Sequence, residues 1–323
     1  MIITLTANPS IDRTLQLDAE LRRGQFQRAT EVTDQAAGKG INVATVLRDA
    51  DEPVVAVVAF ADPAYLNVGI ATGGVEPLVT LVRPGLRVRT NITLTEPDGT
   101  TTKINEPGPR LDADEVALAT DGLVHIVRQY KAEWLVLSGS LPPGAPDDWY
   151  VQMVDAVRPT GCRTVVDASE QALSAVINAL ESTPVGLLKP NVDELAQALG
   201  VAASDLQAAI DRGELDAVVT GARSLHEQGV AEVLVTLGGA GAVLVTNEGA
   251  WYAEAPRIQV RSTVGAGDAA VAGYLLAARR GLGAAERVAY AVAHGSAAAA
   301  TPGSGLGQPS SDDLRGVRAR RLG

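Results

Sequence analysis

Residues 263–268 read Thr-Val-Gly-Ala-Gly-Asp and lead into a long run of small apolar residues. Ahead of them, Arg257 to Ser262 reads as extended. Behind them, Ala269 to Arg280 carries Val271, Tyr274, Leu275 and Ala278 at helical spacing. Two glycines therefore fall at a strand-to-helix corner, with an aspartate at the helix start. Glycine lets main-chain N–H groups face open space without a Cβ in the way. The helix N-terminus adds the positive end of its dipole. Together they suit an anion, and phosphate is the natural guest. A carboxylate there, Asp268, can take a proton from an attacking hydroxyl. A plain N-cap Asp and a Gly-x-Gly turn would look alike locally, so the rest of the chain decides.

Working outward, short apolar strands alternate with helical patterns. The strands are Ile2–Thr6, Val54–Phe60, Trp134–Ser138, Thr164–Asp167, Gly186–Lys189, Glu232–Thr236 and Ala242–Thr246. Helices include 40–49, 113–130, 149–157, 192–199 and 288–299. Fully apolar strands alternating with helices predict an α/β fold with a mainly parallel sheet. Ligands of such sheets bind beyond the carboxyl ends of the strands. Chemistry is therefore expected at Asn8, at Ser138-Gly139-Ser140, at Asp167, at Lys189-Pro190-Asn191 and at Gly238. Two stretches break the rhythm. Residues 12–36 alternate around Arg22-Arg23-Gly24, and 86–105 form a hairpin through the turn Pro97-Asp98-Gly99. They predict a small antiparallel sheet set apart as a lid.

The 323 residues carry a net charge of 27 − 38 = −11, which argues against nucleic acid or an anionic membrane as partner. No apolar run is long enough to span a bilayer, and Met1 to Thr6 reads as a strand rather than a signal peptide, so the expectation is a cytoplasmic protein. The single cysteine, Cys162, excludes an internal disulfide and reads as a small buried hydrophobe. His125, His226 and His294 are scattered, and no Cys/His cluster occurs. There is no Walker A sequence, and Gly238-Gly239-Ala240-Gly241 lacks the dinucleotide spacing. The basic end, Arg315 to Arg321, reads as a solvated tail.

Further motifs point the same way. Gly38-Lys39-Gly40-Ile41-Asn42 precedes a helix, with a lysine charge and an amide suited to a hydroxyl or phosphate. Asp12, after the first strand, suits two sugar hydroxyls. Lys189-Pro190-Asn191-x-x-Glu194 opens a helix at capping-box spacing, and Asn191 with Glu194 equally suits a hydrated Mg²⁺ on a nucleotide phosphate.

Taken together, these segments resemble the PfkB/ribokinase family of sugar kinases, in particular its 1-phosphofructokinase branch. The resemblance runs from Thr4 to Gly303 and includes Asn8-Pro9-Ser10-Ile11-Asp12-Arg13-Thr14, Gly38 to Ala44, Asn105-Glu106-Pro107-Gly108-Pro109, Ser138 to Gly144, Lys189 to Glu194, and Ser262 to Asp268. It implies a ribokinase-like three-layer α/β/α core over 1–11, 37–85 and 106–310, a β-sheet lid over 12–36 and 86–105, and a C-terminal tail over 311–323. It implies ATP-dependent, Mg²⁺-dependent phosphorylation of fructose 1-phosphate at the C6 hydroxyl, with tagatose 6-phosphate kinase, 6-phosphofructokinase or a silent sugar-phosphate sensor as alternatives.

The resemblance also implies roles. Asp268 is the base, and the N–H groups of Gly265, Ala266 and Gly267 hold the γ-phosphoryl. Asp12 and Asn42 bind sugar hydroxyls, with Gly38, Lys39 and Gly40 beside them. Arg89 and Lys103 grip the phosphate already on the sugar, helped by Ser138 or Ser140. Asn191 and Glu194 order Mg²⁺ through water. Lys189, Thr236, Gly238, Gly241 and Thr263 line the ATP side, with His294 and Ala297 bordering the adenine. Arg28 reaches a partner's site if lids pair in a homodimer. Three departures stand out: Ala37 replaces a family glycine, Phe60-Ala61-Asp62-Pro63-Ala64 replaces a Gly-rich loop, and the Lys103 position varies among relatives.

Overall fold

Ile2–Thr6 (β1) is buried at all five residues, as a strand covered on both faces must be. The computed structural model describes residues 1–82, 85–303 and 305–323; positions 83, 84 and 304, within the expected core spans 37–85 and 106–310, lie outside the described residues. After β1 come β2 (Ser10–Leu17), β3 (Ala29–Ala37), α1 (Lys39–Asp49), β4 (Val54–Val58), α2 (Pro63–Ala71), β5 (Leu78–Thr80), β6 (Arg89–Thr95) and β7 (Thr101–Asn105). The middle of the chain gives α3 (Ala113–Gln129), β8 (Trp134–Ser138), α4 (Trp149–Val157), β9 (Arg163–Asp167), α5 (Glu170–Ala179), β10 (Val185–Leu188), α6 (Val192–Leu199), α7 (Ala203–Asp211) and α8 (Asp216–Glu227). It closes with β11 (Val230–Thr236), β12 (Ala242–Thr246), β13 (Gly249–Ala253), α9 (Ala266–Arg279), α10 (Ala284–Ala299), α11 (Ser311–Gly316) and β14 (Ala319–Leu322).

The main sheet has ten strands in the order β14-β13-β12-β11-β10-β9-β8-β1-β4-β5. From β5 to β11 neighbours run parallel, and β11 through β14 add an antiparallel edge. Helices α1, α9 and α10 pack together, while α3 through α8 form a second connected set. The layers make the ribokinase-like α/β/α sandwich, with β8, β1 and β4 toward its β5 end. Trp134 and Tyr274 meet edge-on there, 6.2 Å between ring centroids.

Two expectations are corrected. Residues 257–262 form no strand, because the edge of β13 is already taken by β14; Arg261 and Ser262 instead donate their N–H groups to the Ala299 carbonyl. The span 311–323 is not a frayed tail. Ser310 caps α11, and Arg320 and Arg321 lie over the Tyr252 and Trp251 rings as β14 pairs with β13. Aromatic faces hold these arginines by cation–π attraction, which a count of charge does not reveal.

The second sheet has four strands in the order β3-β2-β6-β7. It is mixed rather than purely antiparallel, since β2 and β6 run parallel. Alternation sorts its faces. Asp12, Asn91, Arg89 and Lys103 share one face by register, and Leu15, Val32, Ile92, Leu94 and Ile104 share the other.

Candidate active site

Gly265 caps α9 at φ 74°, and a Cβ there would stand 2.4 Å from Leu306 Cδ2. The left-handed turn calls for glycine, while the leucine tip could swing aside. The helix starts at Ala266, so Asp268 lies in its first turn rather than ahead of it. Its carboxylate is 5% exposed, and Oδ2 accepts a hydrogen bond from Asn42 Nδ2 at 2.8 Å. Burial, then the charge of Asp167, pushes the Asp268 carboxyl up to about 6.

Asn42 reaches Asp268 because α1 starts against the end of β1. A Cβ on Gly40 would stand 2.6 Å from the Leu5 carbonyl oxygen, and Gly38 takes φ 143° beside Thr6. The approach also delivers Lys39. Its Nζ and that of Lys189 each sit 3.2 Å from Asp167 Oδ1. Burial alone would raise the Asp167 carboxyl, but the two ammonium groups outweigh it and hold it below the usual range. Asp167 in turn raises the Lys39 pKa, so this lysine stays charged. Lys189 Nζ lies 3.7 Å from the position a Cβ on Gly267 would occupy, at the rim of the main-chain cradle.

A cavity of about 640 Å³ opens in front of these groups. Of the residues expected on the nucleotide side, Lys189, Asn191, Thr236, Gly238, Gly241 and Thr263 line it. Three do not. His294 is 3% exposed, with Nδ1 on the Tyr290 carbonyl and its ring stacked on Tyr290. Ala297 turns its carbonyl to Thr301. The wall of α10 is made by Ala291, Val292, Gly295, Ser296 and Ala299 instead. Glu194 is buried in a capping box: its Oε2 accepts from Asn191 N, and Asn191 Oδ1 accepts from Glu194 N, both at 2.8 Å. Among the described residues no group of three or more His, Cys, Asp or Glu could hold a metal ion.

On the lid side, Asp12 Oδ1 accepts from Ser10 Oγ at 2.8 Å and from Asn91 Nδ2 at 3.0 Å. Arg89 donates to the Asn8 and Glu106 carbonyls at 3.2 Å and reaches Ser140 Oγ at 3.5 Å, beside a cavity of about 460 Å³. Burial lowers the Arg89 pKa and Asp12 opposes that. Ser138 is fully buried and its Oγ has no partner among the described residues, so of the two serines it is Ser140 that meets Arg89. Lys103 is exposed on the same lid face and joins no ion pair among the described residues. Ala37 ends β3 and is not among the residues of positive φ, so its methyl is accommodated. Asp62 has a structural task, capping α2 through Tyr65 N and holding Val88 N. Asn91 and the lysine-binding role of Asp167 escaped sequence reasoning. The signal for Asn91 was its place two residues after Arg89 on an alternating strand.

A helix N-terminus with a buried carboxylate in its first turn, and two lysines joined to Asp167 on the same cavity, suit an enzyme that moves a phosphoryl group onto an alcohol. The chain belongs to the pfkB family of carbohydrate kinases, whose sequence model matches residues 5–311. It is an ATP-dependent kinase. It is 36% identical to 1-phosphofructokinase of Xanthomonas campestris pv. campestris over 84% of this chain and 82% of that one. It is 29% identical to 1-phosphofructokinase of Bacillus subtilis over 100% of both. The crystal structure of phosphofructokinase-2 from Escherichia coli in complex with fructose-6-phosphate superposes with a TM-score of 0.81 at 26% identity, covering 98% of this chain and 97% of that one. No helix among the described residues is long and apolar enough to cross a membrane.

Proposed function

We propose that the enzyme transfers the γ-phosphoryl group of ATP to the C6 hydroxyl of fructose 1-phosphate, giving fructose 1,6-bisphosphate. The observation that carries this reading is the Arg89 guanidinium, half-buried beside Ser140 on the acceptor side. An unphosphorylated sugar offers it only neutral hydroxyl oxygens, whereas a sugar phosphate offers charge-assisted, bidentate hydrogen bonds. The two 1-phosphofructokinase relatives support the choice of acceptor.

In this reading Asp12 and Asn42 hold the sugar hydroxyls, and Arg89, Ser140 and Lys103 hold its phosphate. Asp268 takes the C6 proton as that oxygen attacks the γ-phosphorus in line, and the bond to the bridging oxygen of ADP breaks. The N–H groups of Gly265, Ala266 and Gly267, with Lys189 at their rim, stabilise the charge moving onto that oxygen. Asp268, raised to about 6, is ionised at neutral pH and still basic enough to serve.

The residues present fit Mg²⁺ only as a hydrated ion that arrives on ATP. Asp167 Oδ2 is buried without a partner among the described residues, and Glu194 lies near enough to act on the Lys39 charge. Asp167 and Asn191, which line the cavity, would hold the ion through its waters, with Glu194 set behind them in its capping box and adding its charge. Bound there, it would neutralise charge on the β- and γ-phosphates.

The proposal includes a homodimer joined through the lids. Val32 and Ile104, on the lid face turned from Asp12, are 54% and 56% exposed, and Phe26 is 80% exposed with Arg28 over its ring. Covering that face is what a second copy would do, and Arg28 would then reach the partner's site. A 6-phosphofructokinase is the second reading, supported by the likeness to the fructose-6-phosphate complex. ATP turnover with fructose 1-phosphate, fructose 6-phosphate and tagatose 6-phosphate in parallel tests both. The highest kcat/KM is expected for fructose 1-phosphate, and a higher value for either rival overturns that assignment.

A further inference from the structure

Asp12 is not held by its own strand alone. Its Oδ1 is fixed by two donors, Ser10 Oγ at 2.8 Å and Asn91 Nδ2 at 3.0 Å. Asp12 and Asn91 are register partners on the parallel strands β2 and β6, and Ser10 partners Arg89 one step away. Parallel neighbours at this spacing turn their side chains to the same face, so the amide meets the carboxylate from the side. The other carboxylate oxygen, Oδ2, makes none of these bonds and is left to accept hydroxyls. Asn91 Oδ1 is itself buried and has no partner among the described residues. The amide directs its donor to Asp12. The same strand carries Arg89, two residues before Asn91. One lid strand thus sets both the sugar-phosphate grip and the orientation of the acid that reads the sugar.

We propose that Asn91 is a positioning residue for the acceptor sugar: it orients the Asp12 carboxylate and fixes the distance between that acid and the Arg89 guanidinium. The inference rests on the reading of Asp12 as the group that accepts sugar hydroxyls, and it goes beyond that reading by adding a residue that need not touch substrate. Losing Asn91 leaves Asp12 held by Ser10 alone and less firmly oriented. The cost falls on sugar binding, not on the nucleotide or on the proton transfer at Asp268.

The experiment is a double-mutant cycle with the full chain, using Asn91→Ala, Asp12→Ala and the double variant. kcat and KM are measured for fructose 1-phosphate and for ATP, with thermal melting in parallel. Asn91→Ala should raise KM for the sugar phosphate about tenfold, the loss of one charge-assisted hydrogen bond. KM for ATP should hold, and kcat should change by less than about threefold, a limit set by the same conversion of energy to ratio. Asp12→Ala should raise the sugar KM further, and adding Asn91→Ala to it should change nothing more. Ser10→Ala keeps the amide and should show a smaller effect of the same kind; it serves as the second probe should Asn91→Ala melt too low to assay. If Asp12→Ala raises the sugar KM while Asn91→Ala or Ser10→Ala does not, or if the losses multiply in the double variant, Asn91 acts independently and the proposal is wrong. If Asp12→Ala leaves the sugar KM unchanged, the reading of Asp12 itself fails, and the proposal with it.

Discussion

Asn42 Nδ2 donates to Asp268 Oδ2 at 2.8 Å, tying the first turn of α1 to the first turn of α9 across 226 positions of sequence. The bond aims a carboxylate that burial would otherwise leave free to turn. It also sets Asp268 in the wall of the cavity, where an alcohol would lose its proton.

Replacing Asp268 by Asn removes the proposed base and keeps the shape. kcat should fall by about 10³-fold or more, within the range general bases supply. Sugar-phosphate binding, followed by calorimetry, should survive. A variant that turns over normally would remove Asp268 from the chemistry. The same substitution should raise thermal stability above pH 6. The folded carboxyl sits near 6 against a reference of 3.8, so the parent loses stability as pH rises from about 4 through about 6. The Asn variant has no such charge to bury, and its advantage should vanish near pH 4.

The acid limb of kcat should fall near pH 6, because protonation of Asp268 disables the base. After burial, the charge of Asp167 is the largest cause of that raised value, while Lys39 and Lys189 pull the other way. Asp167→Asn removes the anion and frees both lysines, and both changes lower the Asp268 pKa. The limb should move to lower pH, with kcat also reduced because the lysines lose their common anchor. A pH–rate profile settles the sign, and a limb displaced upward contradicts the electrostatics described for the site.

Arg89 should act on binding. Arg89→Ala should raise KM for the phosphorylated sugar about 10- to 100-fold, the value of one charge-assisted contact to phosphate. KM for ATP should stay near that of the parent. Lys103→Ala should show a smaller rise, since Lys103 is exposed and unpaired. Equal losses for both substrates would mean that Arg89 holds the lid fold, through its bonds to Asn8 and Glu106, and not the ligand.

Much of this site was written in the residues that follow strands. The order of the parallel strands makes Asn8, Asp167, Lys189 and Gly238 converge at one edge, and sequence patterning finds that edge. What it cannot find is which side of a helix faces a cavity. His294 and Ser296 are two residues apart on α10, yet the first is packed on Tyr290 and the second lines the cleft. Nor does local pattern reveal a strand whose partner is distant in sequence. β14 reads as a charged tail until β13 supplies both a hydrogen-bonding edge and two aromatic faces. Capping and metal-water roles share one motif in Asn191 and Glu194, and the capping box is the half that geometry makes visible.

Gly40 offers a test of how the scaffold sets the chemistry. A Cβ there would lie 2.6 Å from the Leu5 carbonyl oxygen, 2.7 Å from its carbon and 2.7 Å from Thr6 Oγ1. These are main-chain atoms of β1 and a hydroxyl that already holds Ile41 N at 3.0 Å, so no flexible side chain can give way. The start of α1 must move outward instead, and it carries Lys39 and Asn42 with it. Gly40→Ala should therefore destabilise the fold by about 1–3 kcal/mol, as overpacking does. It should also lower kcat by about 10- to 100-fold, the effect of displacing a reacting group by an ångström or less. Gly316→Ala is the control: a Cβ there meets nothing within 4 Å, so stability and rate should match the parent. If Gly40→Ala melts lower yet keeps full kcat, the Asn42–Asp268 bond survives the shift of α1, and positioning of the base does not depend on this contact.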